Sequence, residues 1–330
     1  TMTLMKSFLG AAATLALTAG VAAADPAIIF DLGGKFDKSF NESAFNGAER
    51  WAAETGGTYR DVELTSDAQR EQALRRFAES GYNPVVMAGF SFATALETVA
   101  ADYPDTKFAI IDMVVGAPNV RSVVFSEHEG SYLVGVAAAY AAKGDTVSFV
   151  GGMDIPLISK FACGYAQGFK SVKPEGNVIV NMTGTTPAAW NDPVKGGELT
   201  RAQKSAGSEV VFAAAGGTGL GVLQTAKDEG MLAIGVDSNQ NYLQPGTVLT
   251  SMVKRVDNAV FDAFSQGADL ETGINVMGLS NGGVGAAMDE NNASLMTAEM
   301  SAALADAEAK IISGEIVVHD YMSDESCPSY

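Results

Sequence analysis

The sequence predicts an α/β protein of two Rossmann-like lobes, each a parallel sheet flanked by helices, with crossovers at a hinge. Three observations predict it. Short apolar runs rich in β-branched and aromatic residues alternate with longer amphipathic stretches, as in strand–helix–strand units whose strands are buried on both sides. The alternation runs through the first half of the chain and then restarts, giving two tandem units of domain size. No flexible linker or low-complexity segment separates them, which fits lobes joined by strands that cross between them. A chain of 330 residues is also too long for one small core.

The elements follow in order. Residues 27–32 (AIIFDL) form an apolar β run ending at Asp31 and a Gly33-Gly34 turn. Residues 39–54 read as a helix with Phe40, Ala44, Ala48 and Trp51 on one face, and Ser39 with Glu42 makes a capping-box pattern at its start. Strands are expected at 58–64, 84–90, 107–113 and 120–125, and helices at 67–80, 92–101 and 127–143. Gly81 and Gly144 stand where two of those helices should stop. The second unit has strands at 146–152, 177–182, 209–215, 231–237 and 248–253. Its helices fall at 157–170, 195–206 and from the Gly-rich 216–221 to Glu229. Beyond it come a helix at 258–266, short strands around 274–286, a helix at 297–312 and a last strand, IVVH, at 316–319. The expected division is lobe 1 from residues 25–126 plus about 254–330, and lobe 2 from residues 127–253, with a ligand cleft between them.

Composition narrows the function. Hydrophobic residues make up 47% and charged residues 18%, a globular balance. The formal net charge of −18 argues against nucleic-acid binding, which needs lysine and arginine to neutralise phosphates. It argues equally against an anionic membrane surface. Residues 1–24 read as a cleaved secretory signal: Lys6, an apolar stretch from Phe8, then Ala22-Ala23-Ala24 before Asp25. The expectation is an exported, soluble periplasmic protein, and with no cysteine near the cleavage point, one without a lipid anchor. Cys163 and Cys327 are left open between a disulfide pinning the C-terminal tail and two free thiols. No CxxC, HExxH or His/Cys cluster occurs, so no metal or cofactor is expected.

In open α/β sheets, ligands bind beyond the carboxyl ends of the strands. Asp31 to Gly33, Gly89-Phe90, Asp112, Gly151-Gly152, Gly216-Gly217 and Asp237 stand at such ends. They come from both predicted lobes, so a cleft between lobes is the natural site.

Six stretches carry a family resemblance: residues 31–50 with the core D-K-S-F-N, 127–143 (EHEGSYLVGVAAAYAAK), 149–169, 183–203, 210–243 and 250–264. In this order they resemble the basic-membrane-protein, or PnrA-like, family of ABC transporter solute-binding proteins. The resemblance implies class I periplasmic-binding-protein architecture around a hinge. It also implies a purine nucleoside as ligand, ABC membrane subunits as partners, and no enzymatic activity. Many members are lipoproteins with a cysteine at the cleavage site, and this sequence departs from them there.

A nucleoside offers a flat base and a polyol sugar. Phe40 and Trp190 resemble the two aromatic faces for the base, an offset stack contributing about 0.5–1.5 kcal/mol beyond area burial. Two extra residues precede Trp190 relative to the family pattern. Asp237 is the first candidate for the ribose hydroxyls, with Asp112 and Asp31 behind it, as charge-assisted acceptors. Lys254 would balance these carboxylates. Gly89, Gly216 and Gly217 would let backbone approach the ligand, and Lys38 and Asn41 would add polar contacts. Each has a plainer alternative: core packing for Phe40, helix capping for the aspartates, turn geometry for the glycines.

Other functions fit less well. The glycines at 216, 217, 219 and 221 imitate a dinucleotide loop, yet no G-x-G-x-x-G can be drawn through them. A nucleoside-processing hydrolase would want a dense aspartate cluster for a metal, and none occurs. The same fold binding a sugar or another small solute stays open. The chain is expected to act as a monomer.

Overall fold

Residues 24–329 are described by a computed structural model. The β-branched runs become interior strands because both of their faces are covered. Ala27–Phe30 (β1), Val85–Ala88 (β3) and Phe108–Ile111 (β4) bury every side chain. With Arg60–Glu63 (β2), Val120–Phe125 (β5) and Gly273–Met277 (β11) they form a parallel sheet in the order β2-β1-β3-β4-β5-β11. The second sheet repeats the plan. Asn177–Gly184 (β7), Thr146–Met153 (β6), Val210–Ala214 (β8), Leu232–Asp237 (β9), Val248–Lys254 (β10) and Val284–Ala286 (β12) lie in that order, with β12 antiparallel. Each sheet therefore has one topological switch point, beside β1 and β3 in the first and beside β6 and β8 in the second. Loops leaving neighbouring strands at such a point diverge and open a crevice.

Helices Phe40–Thr55 (α1), Gln69–Glu79 (α2), Ala93–Asp102 (α3) and Val256–Gln266 (α8) pack on the first sheet. Glu127–Ala141 (α4), Pro156–Val172 (α5), Pro193–Ser205 (α6), Thr218–Asp228 (α7) and Ala298–Ser313 (α9) belong with the second. Among the described residues the chain crosses between sheets three times: β5 to α4, β10 to α8, and β11 to β12. The crossovers are tied together. Ser126 N donates to Met277 O at 2.9 Å, and Arg255 N donates to Gly283 O at 2.8 Å. Leu279 N donates to the Glu129 carboxylate at 2.9 Å.

α4 and α5 make the most extensive helix contact among the described residues. A Cβ on Gly168 would lie 1.9 Å from Tyr132 O, one on Gly135 2.2 Å from Tyr165 O, and one on Gly164 2.4 Å from His128 O. Glycines on both helices thus let the two backbones touch, as in small-residue helix pairs.

Three expectations need correction. Residues 254–330 do not all join the first lobe. α8 and β11 do, but β12 pairs with β10 and α9 packs on α4, because the third crossover returns the chain to the second sheet. Residues 316–319 form no strand. Their backbone finds a side-chain partner instead: His319 N donates to Gln167 Oε1 at 2.8 Å and Gln167 Nε2 donates to His319 O at 3.0 Å. The Ser39–Glu42 capping box does not form either. Asp37 caps α1, accepting from the amides of Ser39, Asn41 and Glu42 at 2.8–3.1 Å. That leaves the Ser39 hydroxyl free to reach the other lobe.

Cys163 and Cys327, left open by the sequence, form a disulfide that fastens the C-terminal tail to α5. Among the described residues no helix is long and apolar enough to cross a membrane. The expected signal segment lies, but for Ala24, outside the described residues.

Candidate ligand-binding cleft

Between the two switch points lies a cleft enclosing about 670 Å³ of non-atom space, open solvent included. The first lobe lines it with Asp31, Asp37, Phe40, Asn41, Gly89 and Asp112. The second supplies Phe161, Trp190, Gly216 and Asp237, and Lys254 enters from a crossover.

Local backbone aims several of these groups. Asp112 (φ 73°) and Asp237 (φ 62°) leave their strands in the left-handed region, which costs a non-glycine residue on the order of 1–3 kcal/mol and clusters at functional sites. Gly89 takes φ 130°, and a Cβ there would meet Asp31 Oδ2 at 3.2 Å, so the position requires glycine. Asp31 is held from behind: Arg70, itself buried, donates from Nη2 at 2.6 Å and from Nε at 3.1 Å to Oδ1. Asn41 donates from Nδ2 to Gly34 O at 3.1 Å and orders the loop, while its Oδ1 is buried without a protein partner.

Trp190 ends a short turn, Pro187–Trp190. Thr218 Oγ1 donates to Ala189 O at 2.8 Å and Thr183 Oγ1 to the same oxygen at 3.0 Å. The indole lies on Gly152, where a Cβ would come within 2.1 Å of the ring.

Lys254 is the electrostatic centre. It is 1% exposed, and its Nζ lies 2.7 Å from Asp112 and 3.0 Å from Glu127 Oε1. The rings of Phe40, Phe125 and Phe161 stand 4.9–5.6 Å from the same nitrogen. Burial alone would favour neutral lysine, but Asp112, Glu127 and Asp237 hold its pKa above the ordinary range. Burial pushes the Asp112 carboxyl up to about 6 despite Lys254, and raises Asp237 as well.

Three hydrogen bonds join the lobes beside the cleft. Ser39 Oγ donates to Asp237 Oδ2, Ser238 Oγ donates to Ser39 O at 3.0 Å, and Gln240 Nε2 donates to Lys38 O at 2.8 Å.

These features match a known family. A sequence profile described as "ABC transporter substrate-binding protein PnrA-like" matches residues 25–321. The chain belongs to this PnrA-like family. It is 34% identical over 319 residues to a Lactococcus lactis protein described as an ABC transporter nucleoside-binding protein, covering 88% of each chain. A Pyrococcus horikoshii protein described as an uncharacterized lipoprotein is 36% identical over 273 residues, covering 78% of this chain and 67% of that one. The structure of an ABC transporter solute-binding protein from Aeropyrum pernix superposes with TM-score 0.80 at 28% identity, covering 90% and 94%. This PnrA-like chain is thus a solute-binding component of an ABC transporter with the expected two-sheet α/β fold.

Of the residues singled out in the sequence, Asp31, Phe40, Asn41, Gly89, Asp112, Trp190, Gly216, Asp237 and Lys254 line the PnrA-like cleft. Lys38 does not: its Nζ pairs with Glu42 Oε1 at 3.0 Å, one turn along α1, and only its carbonyl takes part, in the bond between lobes. Gly217 stands behind the Trp190 turn, where a Cβ would meet Trp190 O at 3.3 Å. Sequence reading missed Asp37 and Phe161 in the cleft wall and Glu127 behind it. Asp37 and Glu127 lay inside the stretches F-D-K-S-F-N and E-H-E-G-S, where an acid beside the singled-out residues was the available signal.

Asp37 gives this PnrA-like chain a pH dependence. Burial, with Asp237 adding to it, pushes its carboxyl up to about 7 against the three amides it caps. The folded state then keeps a proton that the unfolded chain releases near pH 4, so this contribution to stability falls as pH rises from about 4 to about 7 and is flat above. Comparing thermal unfolding of Asp37→Asn with wild type across pH 4–8 should show the wild-type slope flattened. Parallel profiles would refute it.

Proposed function

We propose that this protein captures a purine nucleoside outside the cytoplasmic membrane, as an exported periplasmic monomer, and delivers it to the membrane subunits of an ABC importer. One observation carries the reading: a single cleft sets aromatic rings from both lobes, Phe40 and Trp190, among carboxylates from both lobes, Asp31, Asp112 and Asp237. Rings suit the faces of a base. Carboxylates suit ribose hydroxyls and base N–H groups. Asn41 Oδ1 is a buried acceptor without a hydrogen-bond partner, so the site calls for a ligand that brings a donor to it. The nucleoside-binding description of the Lactococcus lactis relative points the same way.

The ligand bridges the lobes and shifts a hinge equilibrium toward the closed form. The Ser39–Asp237 and Gln240–Lys38 bonds would form in that form and break on opening.

The test is titration calorimetry on residues 25–330, refolded to remove carried-over ligand, with adenosine, inosine, guanosine, uridine, ribose and adenine. A purine nucleoside should bind tightly. Asp237→Ala should weaken it by about 10- to 100-fold, the worth of a hydrogen bond to a charged group, and Trp190→Ala by about 10-fold or more. Silence toward every nucleoside with tight binding of ribose would reassign the ligand to the sugars.

Charge makes a second expectation. In and behind the cleft the acids Asp31, Asp112, Glu127 and Asp237 outnumber the bases Arg70, Lys160 and Lys254. A 5′-phosphate would add negative charge to this field. Inosine 5′-monophosphate should therefore bind at least about 100-fold more weakly than inosine, since two uncompensated like charges cost several kcal/mol. Equal affinities would rule this out.

A further inference from the structure

Behind the cleft a row of alternating charges runs from the first lobe to the C-terminal tail. Asp112 contacts Lys254 Nζ at 2.7 Å. Glu127 reaches Lys254 with Oε1 at 3.0 Å and Lys160 Nζ with Oε2 at 2.9 Å. Lys160 Nζ also donates to Phe125 O at 2.7 Å and lies 3.4 Å from Asp320 Oδ2. Glu127, Lys254 and Lys160 are 1%, 1% and 7% exposed.

The placement matters as much as the distances. Glu127 opens α4 directly after the first crossover, and Lys254 ends β10 directly before the second. The Glu127–Lys254 pair therefore ties together two of the three crossovers between the sheets. α5 works on two faces. Leu157, Ile158 and Phe161 line the cleft, while Lys160, Cys163 and Gln167, at helical spacing, hold the tail. Asp320 lies between His319, bonded to Gln167, and Cys327, bonded to Cys163.

We propose that Glu127 is the positioning residue of the binding cleft: it fixes Lys254 against Asp112 and, through Lys160, couples that cation to the tail carboxylate Asp320. The tail, some distance along the chain from every cleft residue, then sets how firmly Lys254 is held. Burial would raise the Glu127 carboxyl, but the ammoniums of Lys254 and Lys160 keep it below the usual range, so it stays charged. A charged group compensated on both oxygens fixes two cations at once. Loss of either neighbour changes the pull on the other.

The coupling is testable by a double-mutant cycle. Inosine affinity is measured for wild type, Glu127→Gln, Asp320→Asn and the double variant, a readout that rests on the nucleoside reading. Glu127→Gln should weaken binding by about 10-fold or more, since it removes a buried charged partner. Asp320→Asn should weaken it by about 2- to 5-fold, as befits a partly exposed pair. In the Glu127→Gln background Asp320→Asn should cost nothing further. Equal losses in both backgrounds would overturn the proposal. A second readout needs no ligand: amide hydrogen exchange at residues 254–258. Asp320→Asn should speed exchange there in the wild-type background and not in the Glu127→Gln background. Changes confined to α5 and the tail would mean that Asp320 only fastens the tail, and the proposal would fall. If wild type ignores inosine, the nucleoside reading fails while the exchange cycle still decides the coupling. Should Glu127→Gln not fold, Lys160→Met takes its place, with the same outcomes deciding.

Discussion

Lys254→Met is expected to abolish ligand capture and to lower stability by about 3–5 kcal/mol, because it strands buried carboxylates without their cation. The substitution keeps the aliphatic stem among Phe40, Phe125 and Phe161 and deletes only the charge. Asp112 on the cleft wall would then have no cation, and the buried Glu127 would keep only Lys160. For a chain of this size the loss corresponds to a fall in Tm of roughly 5–8 °C. The defect should depend on pH in a definite direction. Without Lys254 the Asp112 carboxyl, already pushed up to about 6 by burial, rises further. Protonation removes the stranded charge, so the variant should lose more stability at pH 8 than at pH 5. Thermal unfolding of both proteins at the two pH values measures this. A Tm within about 2 °C of wild type at pH 8 would mean that the ion cluster does not hold the hinge region together.

Gly168→Ala is expected to destabilise the second lobe by about 3 kcal/mol while leaving the cleft chemistry intact. The added methyl would fall 1.9 Å from Tyr132 O, a backbone oxygen in mid-helix that cannot move alone. α4 and α5 must separate, losing contact along their whole shared face, and overpacking of this kind costs about 1–3 kcal/mol or more. Gly116→Ala is the control, since a Cβ there meets nothing within 4 Å. Denaturant unfolding should show a lower midpoint for Gly168→Ala and an unchanged one for Gly116→Ala. Equal midpoints would show that the helices are not in backbone contact.

Much of this was legible in the residue order. Strands such as residues 27–30 and 108–111 announced themselves as unbroken apolar runs, and such runs are buried whichever way the sheet twists. Asp31, Asp112 and Asp237 stood at strand ends, where open sheets place their ligands. Less legible were contacts that depend on two distant segments meeting. Ser39 with Glu42 had the spacing of a capping box, but local spacing could not weigh Asp37 as a rival cap or Asp237 as a rival partner from the other lobe. Lys38 looked like a ligand contact and pairs with Glu42 instead. The IVVH segment has strand composition, yet the tail's partner is the Gln167 side chain on α5 and not a sheet edge.

By itself the sequence determined the α/β class, the duplication of the strand–helix plan and the side-chain types at the strand ends. Those follow from hydrophobic periodicity and turn chemistry, which act over a few residues. Only the tertiary structure decided that the last crossover returns residues 284–313 to the second lobe, and that Cys163 meets Cys327. Only it set Glu127 and Lys254, 127 positions apart in the chain, within 3.0 Å of each other. The physical reason is range. Periodicity reports which face of an element is buried, whereas the partners found there depend on how whole sheets and crossovers pack. A buried charge reveals its partner only once that packing is complete.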